Sequence, residues 1–219
     1  MHKNTRNKVN KNNRVEQLYN AAFKLFLLHQ YKGVTIADLE KEADMTRGAI
    51  FYHIESKLDL YRKVIKKYWI DRQNLTKKMD LKNSCGSLKE FIINYTASIA
   101  KTMNGLHSLL GGCTVQQASQ AYLSFLMQLR ETAPDLNDEY LNNRNQELLI
   151  WNDMLREGVI RGEISPDIDT FAFAHAFLYI FYGQTFWEAL DNGLNVDLLR
   201  RTYLKIYDSI RMKTYEEVQ

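Results

Sequence analysis

The sequence predicts an all-α fold, and three observations carry that reading. Apolar residues recur at three- and four-residue steps along almost the whole chain of 219 residues, and strand-like alternation is absent. Two prolines and ten glycines are too few for the many tight turns of a β-sandwich or barrel. Helix-starting residues, among them Thr35, Thr46, Ser56 and Asn195, stand just ahead of the apolar runs. The pattern resolves into about nine helices. The length suits a small domain followed by a larger one, with enough chain to bury a core.

The first helix carries Val15, Leu18, Ala22, Leu25, Phe26 and His29 on one face and stops at Gly33. Thr35-Ile-Ala-Asp38 follows as an Asp variant of the capping box, in which a Thr hydroxyl and an Asp carboxylate satisfy free N–H groups at a helix start. That second helix is short, because Thr46 begins a third. Ser56-Lys-Leu-Asp59 is another box. It opens a fourth helix carrying Tyr61, Val64, Ile65, Tyr68, Leu75 and Met79, expected to run unbroken into the core, with Arg62, Lys63, Lys66 and Lys67 on a solvated face. Starts at 35, 46 and 56 leave two or three turns to each helix between them, a helix-turn-helix layout. Leu88, Phe91, Ile92, Tyr95 and Ile99 define a fifth helix, and Gly105 to Gly112 reads as a loop. Val115, Ala118, Tyr122, Phe125, Leu126 and Leu129 define a sixth. The seventh runs from Pro134 to Arg161, with Leu148, Trp151 and Leu155 inward and Gly162 as its stop. Ser165-Pro166-Asp167 reads as the N-cap, N1 proline and first-turn acid of an eighth helix ending near Gly193. Asn195 caps a ninth that reaches about Thr214.

The net charge of +3 hides a division. Residues 1–82 hold 18 Lys+Arg and 9 Asp+Glu, a net of +9, and residues 83–219 hold 11 and 17, a net of −6. A basic module joined to an acidic one predicts that the first part meets a polyanion. Cys85 and Cys113 lack CxxC spacing and read as buried thiols in a reducing compartment. The basic, Asn-rich N-terminus is followed by no secretory apolar region, and the most apolar stretch, Phe171 to Phe181, falls short of the roughly 18–20 residues that span a bilayer. A cytoplasmic protein without a membrane partner is therefore expected. The five histidines (His2, His29, His53, His107, His175) are scattered one per element, and no HExxH occurs. No metal or cofactor is expected, and an all-α enzyme is the most distant of the rival readings.

Between Thr35 and Lys57 the chain reads TIADLEKEADMTRGAIFYHIESK. Ile36, Leu39, Ala43, Met45, Ile50 and Ile54 have the spacing that buries the faces of two short crossed helices, and Ala43 is small enough for a close crossing. Thr46 would aim the amides of its helix start at a phosphate or base edge. With Ala21-Ala22-Phe23, Phe26, Gly33, Thr35, Ile36-Ala-Asp-Leu39, Ala43, Thr46-Arg-Gly48, Tyr52-His53, Lys57 and Leu60, the segment resembles the tetracycline-repressor (TetR) family of bacterial one-component regulators. The motif match covers about residues 14–60; beyond it the likeness is one of architecture, with a local echo at Gly158 to Pro166. Three positions depart from the family pattern: Asp44 replaces the usual turn glycine, Ile54 an aromatic, and Phe51 a tyrosine whose hydroxyl would reach a phosphate.

The resemblance implies a helix-turn-helix DNA-binding domain over residues 1–57, with a basic N-terminal arm (Lys3, Arg6, Lys8, Lys11, Arg14), and a helical effector-binding and dimerisation domain over residues 58–219. It implies a transcriptional regulator rather than an enzyme: a repressor released from a palindromic double-stranded DNA operator by a small-molecule effector. Effector binding between the fourth and seventh helices would swing the fourth and separate the recognition helices. A ligand-independent DNA-binding adaptor or an activator is the alternative. By the same resemblance Arg47 reads base edges, Gly48 admits the DNA backbone and Ala49 meets a thymine methyl, while Thr35, Thr46, Tyr52, His53 and Lys57 contact phosphates. The eighth helix is apolar on all sides and must be buried on more than one of them. With the ninth it is expected to form a four-helix homodimer interface through Phe171, Phe181, Tyr182, Leu199, Tyr203, Ile206 and Ile210. Tyr95, His107, Tyr122, Trp151, His175, Tyr179 and Trp187, aromatics with polar tips, are candidates for an effector pocket; ordinary core packing is the alternative for each.

Overall fold

The computed structural model describes residues 3–70, 75–111 and 113–212, and the side chains of all of these except 3–12, 69–70 and 75–77. Among the described residues ten α-helices follow in order: α1 (Lys3–Gly33), α2 (Ile36–Ala43), α3 (Arg47–Phe51), α4 (Lys57–Ile65), α5 (Leu75–Ser84), α6 (Leu88–Leu110), α7 (Val115–Thr132), α8 (Pro134–Ile160), α9 (Thr170–Ala189) and α10 (Val196–Ile210). A π-helical segment, Lys66–Ile70, follows α4. Among the described residues no strand forms, and β pairing is limited to an isolated bridge between Ile164 and Arg211. The all-α expectation holds.

The chain divides into two compact units, Met1–Gln73 with Ala121–Tyr140, and Asn74–Gln120 with Leu141–Gln219. In the first, α1 packs on α2 and α4. Leu18, Ala22, Phe23 and Phe26 are buried, as are Leu39, Ala43, Ile50, Ile54, Leu60 and Val64. His29, placed on this face by its spacing, is exposed. Beside it α1 is interrupted at Gln30, whose φ of 63° and ψ of 164° are a conformation that costs a non-glycine residue about 1–3 kcal/mol. Side chains of α7 hold the break. Gln30 Nε2 donates to Ser124 Oγ at 2.9 Å, and the Tyr31 N–H donates to Gln128 Oε1 at 3.2 Å. Of the cations expected on a solvated face, Arg62, Lys63 and Lys66 are exposed and Lys67 half-buried, and each is paired there: Arg62 with Asp135, Lys63 with Asp59, Lys66 with Glu139 and Lys67 with Glu16. The side chains of Lys3, Arg6, Lys8 and Lys11 lie outside the described residues; Arg14 is exposed.

The second unit is built around Trp151, which is fully buried among Phe91, Tyr95, Phe177 and Tyr203. The Tyr203 hydroxyl donates to the Phe177 carbonyl at 2.6 Å, so the ring is anchored at its polar end. Both cysteines are free thiols; Cys85 is buried as expected, whereas Cys113, just ahead of α7, is only half-buried.

Three expectations are corrected. The fourth predicted helix is not continuous: α4 ends at Ile65 and passes into the π-helical segment, and α5 is separate. Gly105 to Gly112 is not a loop, since α6 runs to Leu110 and buries Leu106 and Leu110 across it. Ser165-Pro166-Asp167 is not a helix start. The Ser165 N–H donates to the Ile210 carbonyl at 2.8 Å, which ties the segment to the end of α10. α9 begins later, capped by Asp169, whose carboxylate accepts the N–H groups of Phe171 and Ala172.

Two glycines test this arrangement in opposite directions. Gly193 has a φ of +85°, and a Cβ there would lie 2.5 Å from the Val115 carbonyl carbon. Gly193→Ala is expected to lose about 3 kcal/mol from strain and overlap together. Gly105 lies inside α6 with open space around it. Gly105→Ala should gain up to about 1 kcal/mol from helix propensity. Urea midpoints of the two variants, measured side by side at one protein concentration, should move apart on either side of the wild type.

Candidate nucleic-acid interface

Both short helices of the first unit are fixed at their starts by local chemistry. Thr35 Oγ accepts the Asp38 N–H at 3.2 Å, and Asp38 Oδ2 accepts the Thr35 N–H at 2.8 Å and the Thr35 hydroxyl at 2.7 Å. The capping box is complete. The Thr35 N–H, and then its hydroxyl, hold the Asp38 carboxyl below its ordinary value of 3.8. A depressed carboxyl favours the folded state fully above the unfolded value and loses that contribution as pH falls through the folded one. The stability difference between wild type and Asp38→Asn is therefore expected to be constant at neutral pH and to close below about pH 4, as read by thermal melts across pH.

The turn between the helices is made by Asp44, in the left-handed region at φ 47° and ψ 53°, and the Met45 N–H closes it on the Glu40 carbonyl at 3.1 Å. Asp is one of the few residues other than glycine that enter this region, so the first departure from the family pattern preserves the turn. Ile54, the second, is buried and fills its place in the core. At the start of α3, Thr46 Oγ accepts the Ala49 N–H at 3.3 Å and Glu40 Oε1 accepts the Arg47 N–H at 2.6 Å. Of the amides at this helix start, those of Arg47 and Ala49 are thus already partnered within the chain. The Arg47 side chain is exposed, its guanidinium 5.7 Å from the centre of the Phe51 ring. Phe51, the third departure, offers no hydroxyl but supplies an aromatic face to Arg47.

Thr35, Thr46, Gly48 and Tyr52 are exposed, and Ala49 and His53 half-buried. The Tyr52 and His53 rings meet edge to face at 5.1 Å. A Cβ on Gly48 would meet nothing within 4 Å, so the fold does not require glycine there. Lys57 differs from its expected role. Its ammonium donates to the carbonyls of Tyr31 at 2.9 Å and Val34 at 2.8 Å and lies 4.2 Å from the Tyr31 ring centre. Partial burial pulls its pKa down. At most one of its three N–H donors is left for a phosphate.

Of the residues expected in an effector pocket, Tyr95 and Trp151 meet at 4.9 Å, and His175 and Tyr179 pair at 5.2 Å. His107 and Trp187 are exposed, and Tyr122 belongs to the first unit. The pattern missed Glu147, buried against Tyr95, because a lone acid on a long helix carries no periodic signal. Of the residues expected at a dimer interface, Phe171 is exposed and Phe181, Tyr182 and Ile206 are half-buried. Leu199, Tyr203 and Ile210 are buried in the core of their own chain, which corrects their assignment to an outward face. The large apolar side chains that α9 and α10 expose are Phe171, Tyr179, Phe186, Trp187 and Leu198. Among the described residues no group of three His, Cys, Asp or Glu could hold a metal, and no helix is long and apolar enough to cross a membrane.

Residues 18–64 match the family model for bacterial regulatory proteins of the tetR family. No curated protein matches the chain in sequence. Among solved structures it is similar to a TetR-family transcriptional regulator from Cytophaga hutchinsonii, at 18% identity and TM-score 0.61 over 94% of this chain and 98% of that one. A TetR transcription regulator from Haloarcula marismortui has 15% identity and TM-score 0.70, over 92% and 100% of the two chains. The reduced form of NemR from E. coli has 16% identity and TM-score 0.61, over 93% and 99%. Residues 18–64 are thus a TetR-family helix-turn-helix module, carried on a chain whose fold is that of the family's transcriptional regulators.

Proposed function

We propose that the chain acts as a homodimeric one-component repressor that leaves a palindromic operator when a small molecule binds. The observation that carries this reading is the exposed Arg47 at the start of α3, next to a Gly48 that the fold itself does not need. A recognition helix enters the major groove with its N-terminal residues on base edges. Arg47 is assigned to a guanine and Ala49 to a thymine methyl, with Gly48 letting the DNA backbone come close. Thr35, Thr46, Tyr52 and His53 position the module on phosphates, and Lys57 adds at most one donor. Residues 1–57 bind DNA in this reading, and residues 58–219 take the effector and dimerise. The apolar groups exposed on α9 and α10 support a self-association face, here assigned to Phe171, Tyr179, Phe181, Tyr182 and Ile206. A two-fold dimer requires half-sites about 34–36 Å apart, or a multiple of that. The protein is assigned to the cytoplasm, where its DNA is.

Fluorescence anisotropy on the intergenic DNA upstream of its own gene, against scrambled DNA at two salt concentrations, tests the proposal. Tight selective binding that weakens with salt is expected. Equal weak binding to both DNAs, with no sequence enriched from a random pool, would overturn it.

A further inference from the structure

Glu147 of α8 is the one charged side chain buried among the described residues, at 4% exposure. Carboxylates are rarely buried unless paired. Here the carboxylate accepts the Tyr95 hydroxyl at 2.8 Å and holds the Lys78 ammonium at 2.6 Å. Lys78 reaches it from α5. Tyr95 packs edge-on against Trp151 at 4.9 Å, and the Trp151 Nε1–H is buried without an acceptor. Phe177 stacks on the same indole at 4.5 Å, and Tyr203 meets it edge-on at 5.6 Å. A buried donor left unpartnered is uncommon in a core that serves only packing. This one stands on the ring packed against Tyr95, the hydroxyl donor to the buried carboxylate, with further aromatic rings around it.

We infer that Glu147 is the anchor of the effector site and that the effector is an organic cation, an ammonium on an apolar body, which takes the place Lys78 holds in the free protein. The inference rests on the effector-controlled reading above and names its ligand class. A buried carboxylate demands a counter-charge, so an anion is repelled and a neutral molecule leaves the charge uncompensated. The aromatic rings favour the same sign of charge. The Trp151 Nε1–H is then the donor for an acceptor atom on the ligand. Lys78 acts as a built-in competitor.

The same displacement has a structural consequence. Besides Lys78, α5 is tied to α8 by Lys82, which pairs with Asp153 and Glu157 at 3.1 Å each. Displacing Lys78 breaks the one pair of this set whose acid is buried and leaves Lys82 with its two more exposed acids. In the chain α5 follows α4 and the π-helical segment, so the helix that loses its buried anchor is the one joined covalently to the DNA-binding module. A ligand that binds only the released form shifts the equilibrium by its difference in affinity for the two states.

Lys78→Ala removes the competitor and opens the volume of three methylenes and an ammonium, which n-propylammonium matches. The thermal midpoint of full-length Lys78→Ala is expected to fall and to be restored by millimolar n-propylammonium, but not by n-propanol or propanoate. The double variant Lys78→Ala/Glu147→Gln should show no ammonium effect. In calorimetric titrations, 2-phenylethylammonium should bind Lys78→Ala at least about tenfold more tightly than wild type, because the competing state is gone; 2-phenylethanol and 3-phenylpropanoate should bind neither. If n-propylammonium does no more than propanol for Lys78→Ala, or 2-phenylethylammonium binds the variant no better than wild type, the assignment is wrong. Neither comparison needs the double variant to fold. DNA anisotropy on the same preparation separates the two readings. Selective DNA binding by a protein indifferent to all amines overturns the ligand class alone, and amine binding without DNA selectivity overturns the regulator alone.

Discussion

Trp151→Ala is expected to lower the unfolding free energy by about 3–5 kcal/mol, the range for truncating a fully buried large aromatic. The indole has no exposure and touches Phe91, Tyr95, Phe177 and Tyr203, which come from α6, α9 and α10. Its removal leaves a cavity where three helices meet α8, and rings held on several sides cannot collapse into it. Trp151→Phe should cost much less, about 1–2 kcal/mol. It keeps the stacking surface toward Phe177 and deletes an N–H that has no acceptor, so no hydrogen bond is lost with it. Urea denaturation at fixed protein concentration, followed by far-UV circular dichroism, gives both values. A Phe variant as unstable as the Ala variant would show that the indole N–H contributes a bond to the folded state.

What could be read from the sequence was what is decided locally. Thr35 with Asp38, Thr46 and Asn195 cap helices as their spacing predicts, because a cap needs only three or four consecutive residues. The buried faces of α2 and α3 follow from the spacing of Leu39, Ala43, Ile50 and Ile54. The failures are long-range. Tyr68, Leu75 and Met79 continue a helical period, and nothing in that period marks the π-helical segment. At Gly105 the helix-breaking preference of about 1 kcal/mol is outweighed by burial of Leu106 and Leu110 on either side of the next turn. Ser165-Pro166-Asp167 has the chemistry of a helix start, yet the bond from Ser165 to Ile210, forty-five residues on, claims it. Leu199, Tyr203 and Ile210 announce a buried face correctly, but periodicity cannot say whether the chain or its copy covers it. The candidate DNA residues show the same split. Arg47 could be singled out from its motif position, whereas the carbonyls that occupy Lys57 come from Tyr31 and Val34, and the acid that caps Arg47 is Glu40 from the preceding helix.

Arg47→Ala is expected to weaken binding to the selected operator by about 1–3 kcal/mol per half-site, roughly 5- to 150-fold for each, with the urea midpoint unchanged. The side chain is exposed and meets the exposed Phe51 ring, while its backbone N–H is held by Glu40, a bond that alanine keeps. Arg47→Lys should rescue little, because a point charge cannot make the forked contact with guanine or lie on the Phe51 ring as a planar group does. Gly48→Ala should weaken DNA binding as well while holding or raising stability, since its Cβ meets open space in the free protein and the clash arises only when DNA approaches. Lys57→Ala should do the reverse. It strips two carbonyls of their partner, so stability falls while operator preference is kept. Tyr52→Ala removes a positioning contact and should lower affinity for operator and scrambled DNA alike. A matched set of anisotropy curves and urea melts on these variants sorts the residues by what they contact. Loss of stability with Arg47→Ala, or retention of full operator preference without it, would move base recognition away from the start of α3.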